Sequence, residues 1–116
     1  MKRPGQIVLV PFPYADLSSA KLRPALLLRK ASARFDDWLI CMVSSQLQQE
    51  EADLDELLSR NDPDFAASGL KADSIIRIRR LAVVEGALLA GTIGELTPER
   101  LGRIRHRLAD WIGEEF

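Results

Sequence analysis

The sequence KLRPALLL at residues 21–28 lies between two other apolar stretches, IVLVPFP at residues 7–13 and WLICMV at residues 38–43. Each stretch is too short for a core helix and contains β-branched or aromatic side chains, which is typical of buried strands. Arg23 stands where the second predicted strand begins, and Ser44 follows the third. Because a sheet that folds back on itself brings strand ends together, we expect Arg23 and Ser44 to form one site.

The connections around these strands follow from their prolines. Pro11 and Pro13 cannot donate to a strand ladder, so they end or bulge the first strand. The polar residues 14–21 are longer than a tight hairpin, and such loops often carry function. Pro24 is tolerated near the start of the second strand and favours an extended conformation for Arg23.

The second half of the chain adds strands and one helix. Residues 74–84 and 92–96 predict two further strands, and Thr97-Pro98-Glu99 has the pattern of a helix N-terminus. The spacing within residues 53–58 fits both a helix and a strand, and seven carboxylates crowd residues 50–64 without the spacing of a metal loop. We expect this acidic segment to be solvated and mobile. The predicted fold is mostly β with α: a small β-barrel closed or flanked by a C-terminal α-helix.

Composition narrows the functional classes. The 116 residues carry a formal net charge of −1, so a nucleic-acid site would have to be a local basic patch. The chain has one cysteine and one histidine, which excludes an internal disulfide and a cysteine-based zinc site. We expect one domain over residues 1–116, no metal and no cofactor. With neither a signal peptide nor a membrane-length apolar run, we expect a cytoplasmic location.

The ordered set of motifs resembles the MazF/PemK family of toxin endoribonucleases. The likeness rests on GQIVLVPFP at residues 5–13, KLRPAL at 21–26, VSSQ at 43–46 and SGLKADS at 68–74, together with the helix after Leu96. The resemblance implies an SH3-like (MazF/CcdB-type) barrel, a homodimer, and metal-independent cleavage of single-stranded RNA. It also implies an antitoxin partner with an acidic, partly disordered tail. It favours a strand near residues 53–58.

The same resemblance assigns roles to individual residues. Arg23 matches the family's catalytic arginine, and Ser44 stands where a catalytic threonine is usual. Serine keeps the hydroxyl but is less restricted in rotamer, so we expect function to survive. Ser45 and Gln46 match the polar positions that follow Ser44. From residue type, we expect Tyr14 to bind substrate by base stacking, Lys21 and Arg77 by phosphate contact, and Gln46 by contact with a base edge.

The chemistry of RNA supports these assignments. The ribose 2′-OH can attack the adjacent phosphate, which leaves a 2′,3′-cyclic phosphate and a 5′-OH. An arginine matches the phosphate oxygens and stays charged. It is a poor base at neutral pH, so either Arg23 is strongly perturbed or water or another residue shares the proton transfer. We interpret His106, which lies between two arginines on the predicted helix, as a surface or helix-packing histidine.

Two other functions remain open from sequence. One is a gyrase-binding toxin similar to CcdB, for which Trp111-Ile112-Gly113 is the relevant feature. Trp111 also fits the apolar stripe of the helix, and core packing explains it better. The other is a non-catalytic barrel that binds an antitoxin and acts as a co-repressor.

Overall fold

The computed structural model describes residues 1–11 and 21–114. Within these ranges the chain forms six strands, two α-helices and two short 3₁₀ turns at Leu47–Gln49 and Gly86–Leu88. The strands are β1 (Gln6–Val10), β2 (Arg23–Lys30), β3 (Asp37–Ser44), β4 (Glu56–Leu58), β5 (Ser74–Glu85) and β6 (Gly91–Glu95), and the helices are α1 (Phe65–Ser68) and α2 (Pro98–Gly113).

The strands form one curled antiparallel sheet in the order β4-β5-β3-β2-β1-β6. This half-barrel with a C-terminal helix confirms the predicted fold class. β1 ends at Val10, as expected from Pro11, which has no N–H to donate.

β2 is buried on both faces, which explains its continuous apolar sequence. Leu26 and Leu28 belong to the larger of two hydrophobic clusters, whereas Ala25 and Leu27 belong to the other. Successive strand residues point to opposite faces, so each cluster lies on one face of β2. The larger cluster includes apolar residues of α2: Leu101, Ile104 and Leu108.

α2 begins as the sequence predicts. Thr97 is the N-cap, its Oγ1 accepts a hydrogen bond from the Arg100 backbone N–H at 3.2 Å, and Pro98 is the first helical residue. Trp111 packs against the larger cluster, in agreement with its interpretation as a core residue. Over the described residues, no helix has both the length and the apolar character needed to cross a membrane.

The acidic segment differs from the expectation of a solvated, mobile stretch. Glu56–Leu58 form β4, the strand that the resemblance favoured. Most carboxylates of the segment form hydrogen bonds or ion pairs with other residues. Glu56 and Asp64 accept hydrogen bonds from Arg100, and the carboxylate of Asp55 is buried and accepts from the backbone N–H of Ile78 at 3.2 Å. The expectation of solvated carboxylates was wrong because the arginines that neutralise the segment are distant in sequence. The mobility of the segment stays a prediction.

A large irregularity in β5 shapes the end of β3. Cys41 pairs with Leu81, whereas its neighbour Met42 pairs with Arg77, so residues 78–80 interrupt the register. The Asp55 carboxylate satisfies one backbone N–H freed there. The interruption places Arg77 beside the last residues of β3.

Candidate active site

Arg23 and Ser44 line the same cavity, which has a volume of about 250 Å³. It opens where β2 begins and β3 ends, and the segment between α1 and β5 forms its other wall. The lining residues are Arg23, Pro24, Met42, Val43, Ser44, Ser45, Gln46, Leu70, Lys71, Ala72 and Ser74.

The pairing of β2 with β3 explains why these two residues meet. Ala25 pairs with Met42, and Leu26 pairs with Cys41. Continuing this register outward places Arg23 opposite Ser44. Directly opposed residues of antiparallel strands project on the same face, which brings a guanidinium and a hydroxyl to one cavity.

The cavity is locally basic. Arg23 is exposed and forms no ion pair with any residue in the described ranges. Lys71 supplies a second cation to the wall, and no acidic residue within 1–11 or 21–114 lines the cavity. Lys21 is exposed two positions before Arg23 but does not line the cavity. This charge distribution suits a phosphate, although the chain as a whole has a net charge of −1.

The Ser44 hydroxyl is held by two neighbours. Its Oγ accepts a hydrogen bond from the Gln46 backbone N–H at 3.0 Å and donates to Gln49 Oε1 at 3.4 Å, a long hydrogen bond. The Gln46 side chain in turn accepts a hydrogen bond from Gln48 at 2.8 Å, and Ser45 is an exposed lining residue.

Arg77 contacts the hydrogen-bonded group of Ser44 and Gln49 but does not line the cavity. Its side chain is only 10% exposed and lies 3.9 Å from a Glu51 carboxylate oxygen. Arg77 Nη1 donates to Gln49 Oε1 at 3.2 Å, the same oxygen that faces Ser44. Arg77 therefore contacts the site through Gln49, and its expected phosphate contact stays a prediction.

Tyr14, Lys71 and Gln49 are the remaining residues on which the predicted and the observed site differ or cannot be compared. Tyr14 lies outside the described residues. Lys71 and Gln49 were not among the predicted site residues. The only available signal for Lys71 was the SGLKADS stretch, whose Gly69 adopts φ +74° and ends α1 ahead of Lys71. Nothing in sequence pointed to Gln49.

The remaining titratable candidates lie elsewhere. His106 is exposed on α2 and is not a lining residue, in agreement with its interpretation as a surface histidine. Cys41 is fully buried in the larger hydrophobic cluster, and burial raises the pKa of its thiol far above the ordinary value. Across residues 1–11 and 21–114, no group of three histidine, cysteine or carboxylate side chains could hold a metal ion.

Comparison with known families gives a match over nearly the whole chain. The sequence pattern of the PemK-like, MazF-like toxins of type II toxin-antitoxin systems matches residues 3–112. No curated protein sequence matches significantly.

Solved structures with the same fold include three from mycobacteria. One, described as an endoribonuclease in complex with its cognate antitoxin, is 16% identical, with a TM-score of 0.70 over 100% of this chain and 99% of that chain. The Mycobacterium tuberculosis toxin MazF-mt6 is 15% identical, with a TM-score of 0.66 over 98% of this chain and 100% of its own. A mycobacterial endoribonuclease is 17% identical, with a TM-score of 0.67 over 99% and 94%. At such identities these likenesses establish the fold.

Proposed function

The chain belongs to the PemK-like, MazF-like toxins of type II toxin-antitoxin systems, and we propose that it is an endoribonuclease that cleaves single-stranded RNA. The observation that carries this proposal is the meeting of Arg23 and Ser44 at one basic cavity, to which the described residues contribute no carboxylate. A binding-only barrel would not require a guanidinium and a hydroxyl at the same point. The proposal covers residues 1–116 as one functional domain.

The reaction uses a nucleophile supplied by the RNA. The ribose 2′-oxygen attacks the adjacent phosphorus, the bond from phosphorus to the 5′-oxygen breaks, and the 5′-oxygen takes up a proton. Arg23 stabilises the negative charge that develops on the non-bridging oxygens, a role for which one donor contributes about 3–4 kcal/mol. The Ser44 hydroxyl, whose hydrogen bond to Gln49 is long, donates a bifurcated hydrogen bond to Gln49 and to a phosphate oxygen. Neither a metal nor a cofactor takes part.

Proton transfer involves water in this proposal. The one histidine of the chain does not line the cavity, and a guanidinium holds its proton too firmly to be an effective base near neutrality. The cavity has room for a water molecule beside the ribose, and such a molecule can accept the 2′-OH proton. Substrate binding falls to the surrounding polar and cationic side chains: Tyr14, Lys21, Ser45, Gln46, Lys71 and Arg77.

The partners follow from the family. We propose that a cognate antitoxin with an acidic, partly disordered segment binds the chain, and that the toxin is a cytoplasmic homodimer. An acidic segment would be attracted to the cations at the cavity and would order on binding. The gyrase-binding alternative has no structural observation in its favour, because Trp111 is engaged in core packing.

Cleavage assays with defined RNA ends test the proposal. Purified protein is incubated with a pool of short single-stranded RNAs of random sequence, without added metal and with a chelator. We expect fragments ending in a 2′,3′-cyclic phosphate and beginning with a 5′-OH. The same pool made with 2′-deoxyribose should stay intact, because the attacking oxygen is missing.

Variants assign the chemistry to the cavity. Arg23→Ala should reduce cleavage by about 10²–10³-fold, the range for loss of one transition-state donor, and Ser44→Ala should reduce it less. Arg34→Ala is the matched control, because Arg34 is an exposed arginine outside the cavity. Equal activity of the Arg23 and Arg34 variants would refute the assignment. Cleavage of the deoxyribose pool would refute the mechanism.

A further inference from the structure

Two glutamines beside Ser44 form a short hydrogen-bonded chain. Gln48 Nε2 donates to Gln46 Oε1 at 2.8 Å, and the Gln46 backbone N–H donates to Ser44 Oγ at 3.0 Å. Gln46 lines the candidate active site, whereas Gln48 does not. Gln46 is therefore bonded through its backbone to the hydroxyl of the site and through its side chain to a glutamine outside the cavity.

The hydrogen bond from Gln48 sets the direction of the Gln46 amide. A primary amide has one oxygen, which accepts hydrogen bonds, and one NH₂ group, which donates two. Because the Gln46 oxygen faces Gln48, its NH₂ group points away from Gln48, and it donates to no acceptor among the residues that the structure describes. Gln46 thus presents donor hydrogens on the side of the cavity that it lines.

The other side chains of the cavity do not oppose this donor. Lys71 carries three donor hydrogens and no acceptor, and the Ser45 hydroxyl can either donate or accept. Within the described ranges, no carboxylate lines the cavity. Pro24, Met42 and Leu70 supply apolar surface on which the plane of a base can lie. The cavity is therefore suited to a base that presents hydrogen-bond acceptors.

We infer that Gln46 selects a keto base, uracil or guanine, next to the scissile phosphate, and that Gln48 is the positioning residue that orients the Gln46 amide. Uracil carries the acceptor O4 and guanine the acceptor O6, whereas cytosine and adenine carry the amino groups N4 and N6 at the equivalent places. The Gln46 NH₂ group can donate to either oxygen, but it meets a second donor in cytosine or adenine. Unpaired bases of single-stranded RNA expose these edges. The inference rests on the proposed ribonuclease function and deepens it by naming the class of base beside the cut.

The position of Gln46 limits which base it can reach. Its backbone is bonded to the Ser44 hydroxyl, which contacts the phosphate in the proposed reaction, and Arg23 lines the same cavity. A base is joined to its phosphate through one ribose, so a nucleotide beside the scissile bond brings its base to Gln46. Ser44 and Gln46 would then contact adjacent parts of one nucleotide, the phosphate and the base.

Sequencing of the cleaved ends tests the selection. The purified protein cuts a random pool of single-stranded RNA, and the base frequencies are read on both sides of each cut. At one of the two flanking positions, we expect uracil and guanine to be enriched over cytosine and adenine by about tenfold, the effect of one well-formed hydrogen bond. Equal use of keto and amino bases at both positions, or a preference for amino bases, would overturn the inference.

Two glutamate variants test the roles of the two glutamines separately. Gln46→Glu places a carboxylate, which only accepts, in the cavity, so the preference should reverse to cytosine and adenine. Gln48→Glu changes a residue outside the cavity. Its carboxylate would accept from the Gln46 NH₂ group and turn the Gln46 oxygen toward the base, so the preference should reverse here as well.

The outcome of each variant is read as a ratio of cleavages, so a general loss of activity from the added charge does not affect it. Ala52→Glu is the control, because it adds the same charge at an exposed position of the same segment, and it should keep the keto preference. An unchanged preference in Gln46→Glu would refute the contact with the base. An unchanged preference in Gln48→Glu would refute the orientation of the amide by Gln48.

A binding measurement keeps the inference independent of catalysis. Short oligo(dU) and oligo(dC) differ in their bases and lack the 2′-OH, so the proposed reaction cannot cleave them. Fluorescence anisotropy should show that the unaltered protein binds oligo(dU) more tightly and that both glutamate variants bind oligo(dC) more tightly. A protein that prefers oligo(dU) but cleaves no RNA would refute only the proposed enzyme. A protein that cleaves RNA but shows neither preference would refute only the base selection.

Discussion

Arg77 donates from Nη1 to Gln49 Oε1 at a distance of 3.2 Å. The same oxygen lies 3.4 Å from Ser44 Oγ, so a buried arginine is linked through one amide to the hydroxyl of the candidate active site. Because arginine has only donors, it holds the amide with its oxygen toward Ser44. Gln49 itself is exposed, which leaves this orientation dependent on Arg77.

We predict that Gln49 is a positioning residue for Ser44. Gln49→Ala should lower kcat for RNA cleavage by about tenfold while KM changes little, because the lost contact orients a group used in the transition state. Steady-state cleavage of one RNA chosen from the cleaved pool gives both constants. Glu50→Ala is the control, since Glu50 is exposed and adjacent in sequence. A rise in KM with unchanged kcat would instead identify Gln49 as a substrate-binding residue.

The sequence predicts most of the fold because its strands have strong local signals. The apolar runs locate β1, β2 and β3, and the Thr97-Pro98 pattern locates the start of α2. The juxtaposition of Arg23 with Ser44 follows from the same runs, since antiparallel pairing of consecutive strands brings the end of one to the start of the other.

The contacts that sequence did not reveal depend on distant partners. Arg100 and Asp64 are 36 positions apart, and Arg77 and Gln49 are 28 apart. Arg77 lies beside Met42 of β3 because residues 78–80 of β5 interrupt the pairing of the two strands. A local pattern carries no information about such pairings, which is why the sequence alone predicts a solvated acidic segment.

Arg100 should be a major contributor to stability. Its side chain is 10% exposed and hydrogen bonds to Asp64 at 2.6 Å and to Glu56 at 2.9 Å. Removal of one partner from a buried ion pair leaves an uncompensated charge, so Arg100→Met should lower the free energy of unfolding by about 3 kcal/mol. Urea denaturation followed by circular dichroism measures the change.

Arg103 provides the matched comparison for Arg100. It also lies on α2 and contacts Glu56, at 2.8 Å, but its side chain is 53% exposed. Solvent screens such a pair, so Arg103→Met should cost less than about 1 kcal/mol. Equal losses from the two variants would show that burial does not set the contribution of this network.

The ion pair of Arg100 with Asp64 should also make the free energy of unfolding depend on pH in the acid range. The Arg100 hydrogen bond is the main cause that lowers the pKa of Asp64 in the folded protein. The resulting stabilisation is complete above the unfolded aspartate pKa of about 3.9 and is lost as pH falls through the lower, folded pKa. Urea titrations from pH 7 to pH 2.5 should therefore show a steeper acid decline for the unaltered protein than for Asp64→Asn. Parallel curves would contradict a lowered pKa at this carboxyl.

Cys41 should be unreactive until the protein unfolds. The thiol is fully buried, and burial raises its pKa, so reactive thiolate is scarce in the folded state. We expect the reaction with a thiol reagent at pH 8 to occur only through opening of the structure. In Arg100→Met, the rate of this reaction should rise by the same factor by which the variant increases the population of the open state. Rapid labelling of the folded protein, independent of stability, would show that the larger cluster admits solvent.

The packing of β6 against α1 should restrict Gly94 much more than Gly91. A Cβ at Gly94 would lie 2.2 Å from the backbone carbonyl of Ser68, whereas a Cβ at Gly91 would have no heavy atom within 4 Å. Backbone cannot move aside as a flexible side chain can, so Gly94→Ala should lower the free energy of unfolding by about 3 kcal/mol. Gly91→Ala, in the same strand, should be neutral or stabilise by less than about 1 kcal/mol, because alanine reduces the entropy of the unfolded chain. Urea denaturation compares the two, and a Gly94→Ala protein as stable as Gly91→Ala would refute the close approach of α1 to β6.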